Sequence, residues 1–292
     1  MGVLLLLMLT ACRKVEPVAI YKPGTPVPTD LPLSTPTAPR LDQDQDTPSP
    51  AEPTPLGEEI CLQKAGNIEA YEITWQDRTL EGSIYTPPCY PASDQRYPVL
   101  YLLHGATQTD RQWLDLGLDK LADDLIIREE IPPVIIVLPR EDTWLSPPEN
   151  PFGDDLVQVV IPWVDQTYQT RAEREYRAVG GLSRGGNWAV RLGLLHWSIF
   201  GSLGGHSTPL FFGDLNRLPG WLEVIPADSF PRIYLDIGEA DPNLVQAESL
   251  QEILVDAGIS PEWQVNPGLH DEKYWRSHLD EYLLWYSARW GD

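Results

Sequence analysis

From Ile68 onward the chain alternates short apolar runs with longer stretches in which apolar residues return every three or four positions. Ile68–Trp75 and Thr79–Tyr85 predict a pair of antiparallel strands. Tyr97–Leu103 and Pro133–Leu138 are almost continuously apolar, which predicts strands buried on both faces. Asp110–Arg128 carries Trp113, Leu114, Leu118, Leu121 and Leu125 at helical spacing. Asp154–Tyr168 also predicts a helix, with acidic residues in its first turn where the helix dipole favours them. Tyr176–Gly180 predicts a short strand running into a glycine-rich turn, and Gly186–His196 the helix after it. Further strands are predicted at Ser202–Gly204, Pro231–Ile237 and Glu262–Val265, with helices at Asn243–Ala257 and Glu272–Trp290. Strand and helix in such alternation predict an α/β fold: a mostly parallel central sheet with helices on both faces.

The first 57 residues have a different character. Residues 2–11 are uncharged and apolar, about the length of a signal-peptide core and well short of the ~20 residues that a spanning helix needs. The run ends in Leu9-Thr10-Ala11-Cys12, which is similar to a bacterial lipobox and makes Cys12 the candidate lipidation site. Residues 13–57 have no apolar period and hold 11 of the 29 prolines. Such a segment buries too little apolar surface to offset its ordering entropy, and it predicts a semi-rigid, disordered stalk. The expected organisation is therefore a signal peptide with lipobox at 1–12, a stalk at 13–57 and one globular domain at 58–292. It implies a protein held at a bacterial cell surface by a lipid anchor, outside the cytoplasm.

Charge and cysteine content narrow the partners. The formal net charge is −22, and residues 1–57 contribute little to it, with four basic and six acidic side chains. A domain this acidic lacks the clustered Lys and Arg that phosphate backbones require, so nucleic acid is not an expected partner. Two cysteines remain beyond Cys12, and in an exported chain the pair Cys61 and Cys89 predicts a disulfide. Closing that loop would stabilise the fold by ~3 kcal/mol in the chain-entropy model. The cysteine spacing matches no metal site, and no cofactor is expected.

The chemistry centres on Gly181-Leu182-Ser183-Arg184-Gly185, a G-x-S-x-G pattern between a predicted strand and a predicted helix. In that setting the glycines permit a strained turn that projects the serine hydroxyl at the sheet edge. A serine hydroxyl needs a base to take its proton, and the base needs an orienting acid. In chain order the acid follows the serine and the histidine follows the acid. Of the five histidines only His270 and His278 lie late enough. His270 sits in a loop directly after a strand and is favoured; His278 falls inside the predicted last helix. Asp236, Glu239 and Asp241 compete for the acid. Asp241 is favoured because it lies beyond the strand's carboxyl end, whereas Asp236 is still within it. The oxyanion donors expected are the backbone N–H groups of Arg184 and of Ala106, the latter in His104-Gly105-Ala106-Thr107. Trp144, Trp188 and His206 are candidate substrate contacts; Trp144, Trp163, Trp188, Trp221 and Trp275 could each stack on a sugar, although most of these five are expected in the core.

These segments resemble the esterase D-like family of α/β-hydrolases, which includes feruloyl and acetyl-xylan esterases, S-formylglutathione hydrolases, enterochelin esterases and mycolyltransferases. The resemblance rests on Ile84–Pro88, Tyr97–Gly105, Tyr176–Trp188, Asp236–Asp241 and Gly268–Tyr274, and spans about residues 60–290. It implies the α/β-hydrolase fold and places the family's nucleophile, acid and base on Ser183, Asp241 and His270. The expected activity is hydrolysis of small-molecule or glycan-linked carboxylic esters. Acyl transfer to a sugar or lipid hydroxyl, and a non-catalytic carbohydrate-binding scaffold, remain alternatives.

Overall fold

The computed structural model describes residues 64–92 and 94–291. Cys12, Cys61 and the expected signal segment and stalk lie outside the described residues. Eight strands form one sheet: β1 (Asn67–Trp75), β2 (Arg78–Thr86), β3 (Val99–Leu103), β4 (Ile135–Pro139), β5 (Arg177–Leu182), β6 (Ser202–His206), β7 (Arg232–Gly238) and β8 (Glu262–Asn266). Their spatial order is β1-β2-β4-β3-β5-β6-β7-β8. β1 and β2 are antiparallel to their neighbours, and the strands from β4 through β8 run parallel.

Alternation along β3 divides the core into two layers. Val99, Tyr101 and Leu103 pack on one face with Val137, Val179, Trp188, Phe200, Leu250 and Leu254. Leu100 and Leu102 pack on the other with Trp113, Leu125, Tyr282, Trp285 and Tyr286. Every residue of β3, β4, β5 and β6 is buried, as expected of central strands covered on both sides.

The helices are α1 (Gln112–Leu116), α2 (Leu118–Ile127), α3 (Phe152–Asp155), α4 (Ile161–Thr167), α5 (Arg184–Leu195), α6 (Asp214–Glu223), α7 (Leu244–Asp256), α8 (Glu272–Ser277) and α9 (Leu279–Ser287). Three predicted helices are interrupted in the structure. The predicted helix over 110–128 breaks at Gly117, whose φ of 101° ends α1 in a left-handed turn. The helix over 154–168 contains a π-helical stretch, Leu156–Val160, between α3 and α4. Pro162, at the start of α4, has no N–H to continue a regular ladder. The predicted last helix divides at His278, whose Nδ1 lies 2.7 Å from the Tyr274 carbonyl oxygen. α6 was not expected at all, because Pro219 inside it obscures the helical pattern.

Candidate active site

The parallel strands all point their carboxyl ends to one edge, and the candidate residues meet there. Ser183 stands at the β5–α5 junction with φ 54° and ψ −121°, a conformation that costs a non-glycine residue energy. Its N–H donates to the His206 carbonyl at 2.8 Å, which fixes the turn. The two motif glycines are required by contact. A Cβ on Gly181 would lie 2.3 Å from the Gly185 carbonyl, and one on Gly185 would lie 2.1 Å from the Leu103 oxygen.

His270 lies in the loop between β8 and α8. Its Nε2 is 2.9 Å from Ser183 Oγ, and its Nδ1 is 2.7 Å from Asp241 Oδ2. With a carboxylate at Nδ1 that nitrogen carries the proton, so Nε2 offers its lone pair to the serine. The His270 side chain is 24 % exposed and that of Asp241 is fully buried. Asp241 Oδ1 accepts the Asn243 N–H at 2.8 Å. Burial by itself would raise the Asp241 carboxyl. Hydrogen bonds from His270, from the Asn243 N–H and from Ser207, with attraction to the imidazole, outweigh it and hold the carboxyl below its ordinary range. The structure thus brings together Ser183, His270 and Asp241. His278 is at the α8–α9 junction, bonded to its own helix.

The loop after β3 borders the nucleophile: a Cβ on Gly105 would sit 3.6 Å from that of Ser183. The Gly105 N–H already donates to Gln112 Oε1 at 2.7 Å, so the donor available from this loop is the next one, that of exposed Ala106. The Arg184 N–H is in the first turn of α5, where no intrahelical acceptor exists. His104 holds the loop in place. Its Nδ1 is 2.9 Å from the Gly105 oxygen, and its Nε2 accepts the Glu141 N–H at 2.8 Å. Burial pushes this imidazole below its ordinary value, which matches a neutral ring acting as acceptor.

The Arg184 side chain reaches away from the serine to a second loop. Its Nε donates to Glu141 Oε2 at 2.9 Å, and a terminal nitrogen donates to the Leu145 oxygen at 2.6 Å. Asn150 Nδ2 donates to Glu141 Oε1 at 2.6 Å and to the Leu145 oxygen at 2.9 Å. This clamp presents Trp144, 65 % exposed. Trp144 lines a cleft of about 200 Å³ together with Ala106, Thr107 and Arg184. A larger cleft of about 520 Å³, walled by Leu80, Leu145, Phe152 and Leu156, shares Arg140–Thr143 with it. Sequence reasoning missed Gln112, Glu141, Asn150 and Ser207. Each is a single polar residue in a loop or helix start, and no spacing ties it to the serine.

Two of the expected substrate contacts are corrected. His206 is 0 % exposed, bonded to Asp236 through Nδ1 and to Tyr286 through Nε2. Trp188 is 2 % exposed and packs edge-on between Phe152 and Phe211. Neither can touch a ligand, because the apolar layers on either side of the sheet claim both rings.

Residues 75–286 match the family model described as "Putative esterase". The chain belongs to this esterase family. An esterase of Mycobacterium tuberculosis is 32 % identical over 137 residues, covering 44 % of this chain and 28 % of that protein. An endo-1,4-beta-xylanase/feruloyl esterase of Xylanibacter ruminicola is 27 % identical over 232 residues, 74 % of this chain and 31 % of its own length. The chain thus spans less than a third of either relative. A solved structure of a ferulic acid esterase superposes with a TM-score of 0.70 at 21 % identity, covering 77 % of this chain and 99 % of that one. That likeness establishes the α/β-hydrolase fold.

Proposed function

We propose that the protein is a serine esterase that hydrolyses carboxylic esters through an acyl-enzyme. The observation that carries this reading is the unbroken line Ser183 Oγ, His270 Nε2, His270 Nδ1, Asp241 Oδ2, with steps of 2.9 and 2.7 Å across the two hydrogen bonds. Ser183 Oγ attacks the ester carbonyl carbon as its proton passes to Nε2. The oxyanion so formed is met by the N–H groups of Arg184 and Ala106. Collapse breaks the bond to the alcohol, which leaves with the proton from Nε2. Water then attacks the acyl-serine by the same proton route, releasing the acid and restoring Ser183.

Trp144 beside the oxyanion loop supports a ring-stacking contact to one side of the ester, and the larger cleft past Arg184 offers space for an apolar part of it. Feruloyl esterases among the relatives are in keeping with an aromatic acyl group. The lipobox-like Leu9-Thr10-Ala11-Cys12 supports export and lipid attachment through Cys12. Cys89 is disulfide-bonded, which supports an oxidising compartment. The test is a panel of p-nitrophenyl and feruloyl esters, assayed with and without a sugar acceptor. Hydrolysis with a burst of released alcohol, unchanged by acceptor, is expected. Product forming only with acceptor would make the protein an acyltransferase, and no turnover of any ester would remove the enzymatic reading.

A further inference from the structure

The two N–H donors that meet the oxyanion sit on separate loops, and one residue is bonded to both loops. β4, β3 and β5 are neighbours in the sheet, so the loops leaving their carboxyl ends lie side by side. Glu141 stands two residues past β4, His104 and Ala106 follow β3, and Arg184 follows Ser183 at the end of β5. The Glu141 N–H donates to His104 Nε2 at 2.8 Å. With Nε2 accepting, the neutral ring carries its proton on Nδ1, which donates to the Gly105 oxygen at 2.9 Å. That oxygen and the Ala106 N–H belong to one peptide unit. A peptide unit is planar, so a bond to its oxygen fixes the direction of its N–H. On the other side the Glu141 carboxylate accepts from Arg184 through both oxygens: Nε donates to Oε2 at 2.9 Å and a terminal nitrogen donates to Oε1. Asn150 Nδ2 also donates to Oε1, at 2.6 Å. The Glu141 side chain is 4 % exposed and that of Arg184 is 14 % exposed. A buried carboxylate gripped by a two-pronged guanidinium and an amide is fixed in orientation as well as in place.

We propose that Glu141 is the positioning residue of the oxyanion hole, tied through its N–H to the Ala106 donor and through its carboxylate to the Arg184 donor. The inference rests on the esterase reading. An oxyanion hole accelerates the reaction only if its donors hold their spacing before charge develops. The Ala106 and Arg184 donors come from loops of different strands, and Glu141 bridges those loops from a third. It acts through His104 and Arg184 and need not touch the ester. The same carboxylate reaches outward as well. Arg184 and Asn150 both donate to the Leu145 oxygen, which sets the loop that carries Trp144. The donors and the exposed indole are thereby held in one frame.

The test compares Glu141→Gln, Arg184→Met and the double variant with the unaltered protein, using p-nitrophenyl acetate and an alkyl trifluoromethyl ketone. Ser183 Oγ adds to the ketone carbon, its proton passes to His270 Nε2, and the carbonyl electron pair moves onto the oxygen. The adduct thus leaves an oxyanion in the hole, and its affinity reads the donors directly. Neither substitution deletes a donor, because both donors are backbone N–H groups. Glu141→Gln keeps the N–H that His104 accepts and loses the charge that grips Arg184; Arg184→Met breaks the same contact from the other side. Losing one whole oxyanion donor costs about 10²–10³ in kcat, and a displaced donor should cost less. Each single variant is expected to lower kcat about tenfold with KM changed less than about threefold, and to weaken the ketone about tenfold. Because both changes break one contact, the double variant should lie within about twofold of the more impaired single variant. Thermal melting is measured beside the rates, and Arg184→Met decides if Glu141→Gln does not fold. A lowered melting temperature with kcat and ketone affinity intact in the folded protein would overturn the proposal, as would losses that multiply in the double variant. An unaltered protein that neither turns over the ester nor binds the ketone would fail the esterase reading itself and this inference with it. That result is distinct from unchanged variants of an active enzyme, which would fail the inference alone.

Discussion

Two aspartate–histidine pairs close the same edge of the sheet, and they have opposite fates. His206 ends β6, directly in register with Asp236 of β7, and its Nδ1 is 2.6 Å from Asp236 Oδ1. His270 and Asp241 lie in the loops just beyond β8 and β7, and their bond is 2.7 Å long. The bonds are alike, but the surroundings are not. In the first pair Tyr274 and Tyr282 both donate to Asp236 Oδ2, Tyr286 occupies His206 Nε2, and the imidazole stacks on Tyr282 at 3.7 Å. No atom of that pair is left to react. In the second, Nε2 is free to face a serine and the ring is part-exposed. A few residues' advance past the end of the strand separates a fastened core pair from one with its outer nitrogen turned to a serine.

If that contrast is right, the two pairs must respond differently to mutation. The largest effect is expected at the open pair. His270→Ala should cost nearly as much rate as Ser183→Ala, on the order of 10⁴–10⁶, because the triad acts as a unit. Asp241→Asn should cost less but still orders of magnitude, while His278→Ala should leave the ester hydrolysis rate close to that of the unaltered protein. Steady-state rates on one ester check all of these, and a dead His278→Ala beside an active His270→Ala would transfer the base to the other histidine.

The buried pair should show its worth in stability. Replacing His206 by Phe leaves Asp236 Oδ1 without its donor while Tyr274 and Tyr282 still hold Oδ2, and losing one buried hydrogen bond to a carboxylate costs about 1–3 kcal/mol. Urea unfolding should register that loss, while the folded fraction still reacts with a fluorophosphonate within about tenfold of the normal rate. Loss of labelling without loss of stability would erase the distinction between the pairs.

A smaller effect concerns pH. His104 has a lowered pKa because it is buried, so its neutral form belongs to the folded state and its stabilising contribution is complete above the ordinary value of 6.5. As pH falls below that value toward the folded-state value, the unfolded chain takes up the proton first and stability declines. Protonation would also end Nε2's acceptance of the Glu141 N–H. The melting temperature should therefore drop between pH 7 and 5, and the slope should be shallower in His104→Gln. An equal slope in both proteins would show that another group governs acid sensitivity.

The sheet and the meeting of Ser183, His270 and Asp241 were legible in the sequence because each leaves a local mark. Continuous apolar runs mark β3 and β4, and glycines flank Ser183 where the backbone passes within contact of Leu103. Asp241 and His270 could be chosen by position, since each sits just past a strand. The breaks at Gly117 and His278 were harder to see, because the apolar spacing continues through both. The roles of Trp188 and His206 could not be read at all: their burial is set by partners from distant segments, Phe211 and Asp236 among them. Ser207 and the Arg184–Glu141 contact escaped for the same reason, each joining residues tens of positions apart, and Asn150 escaped because no sequence pattern ties it to Glu141.

The central claim is that Ser183 is a nucleophile activated by His270. It is tested most directly by treating the protein with a fluorophosphonate, measuring intact mass and mapping the modified peptide. The account predicts one adduct, on Ser183, lost in Ser183→Ala and greatly slowed in His270→Ala. An adduct on another residue, or full ester hydrolysis by Ser183→Ala, would contradict it.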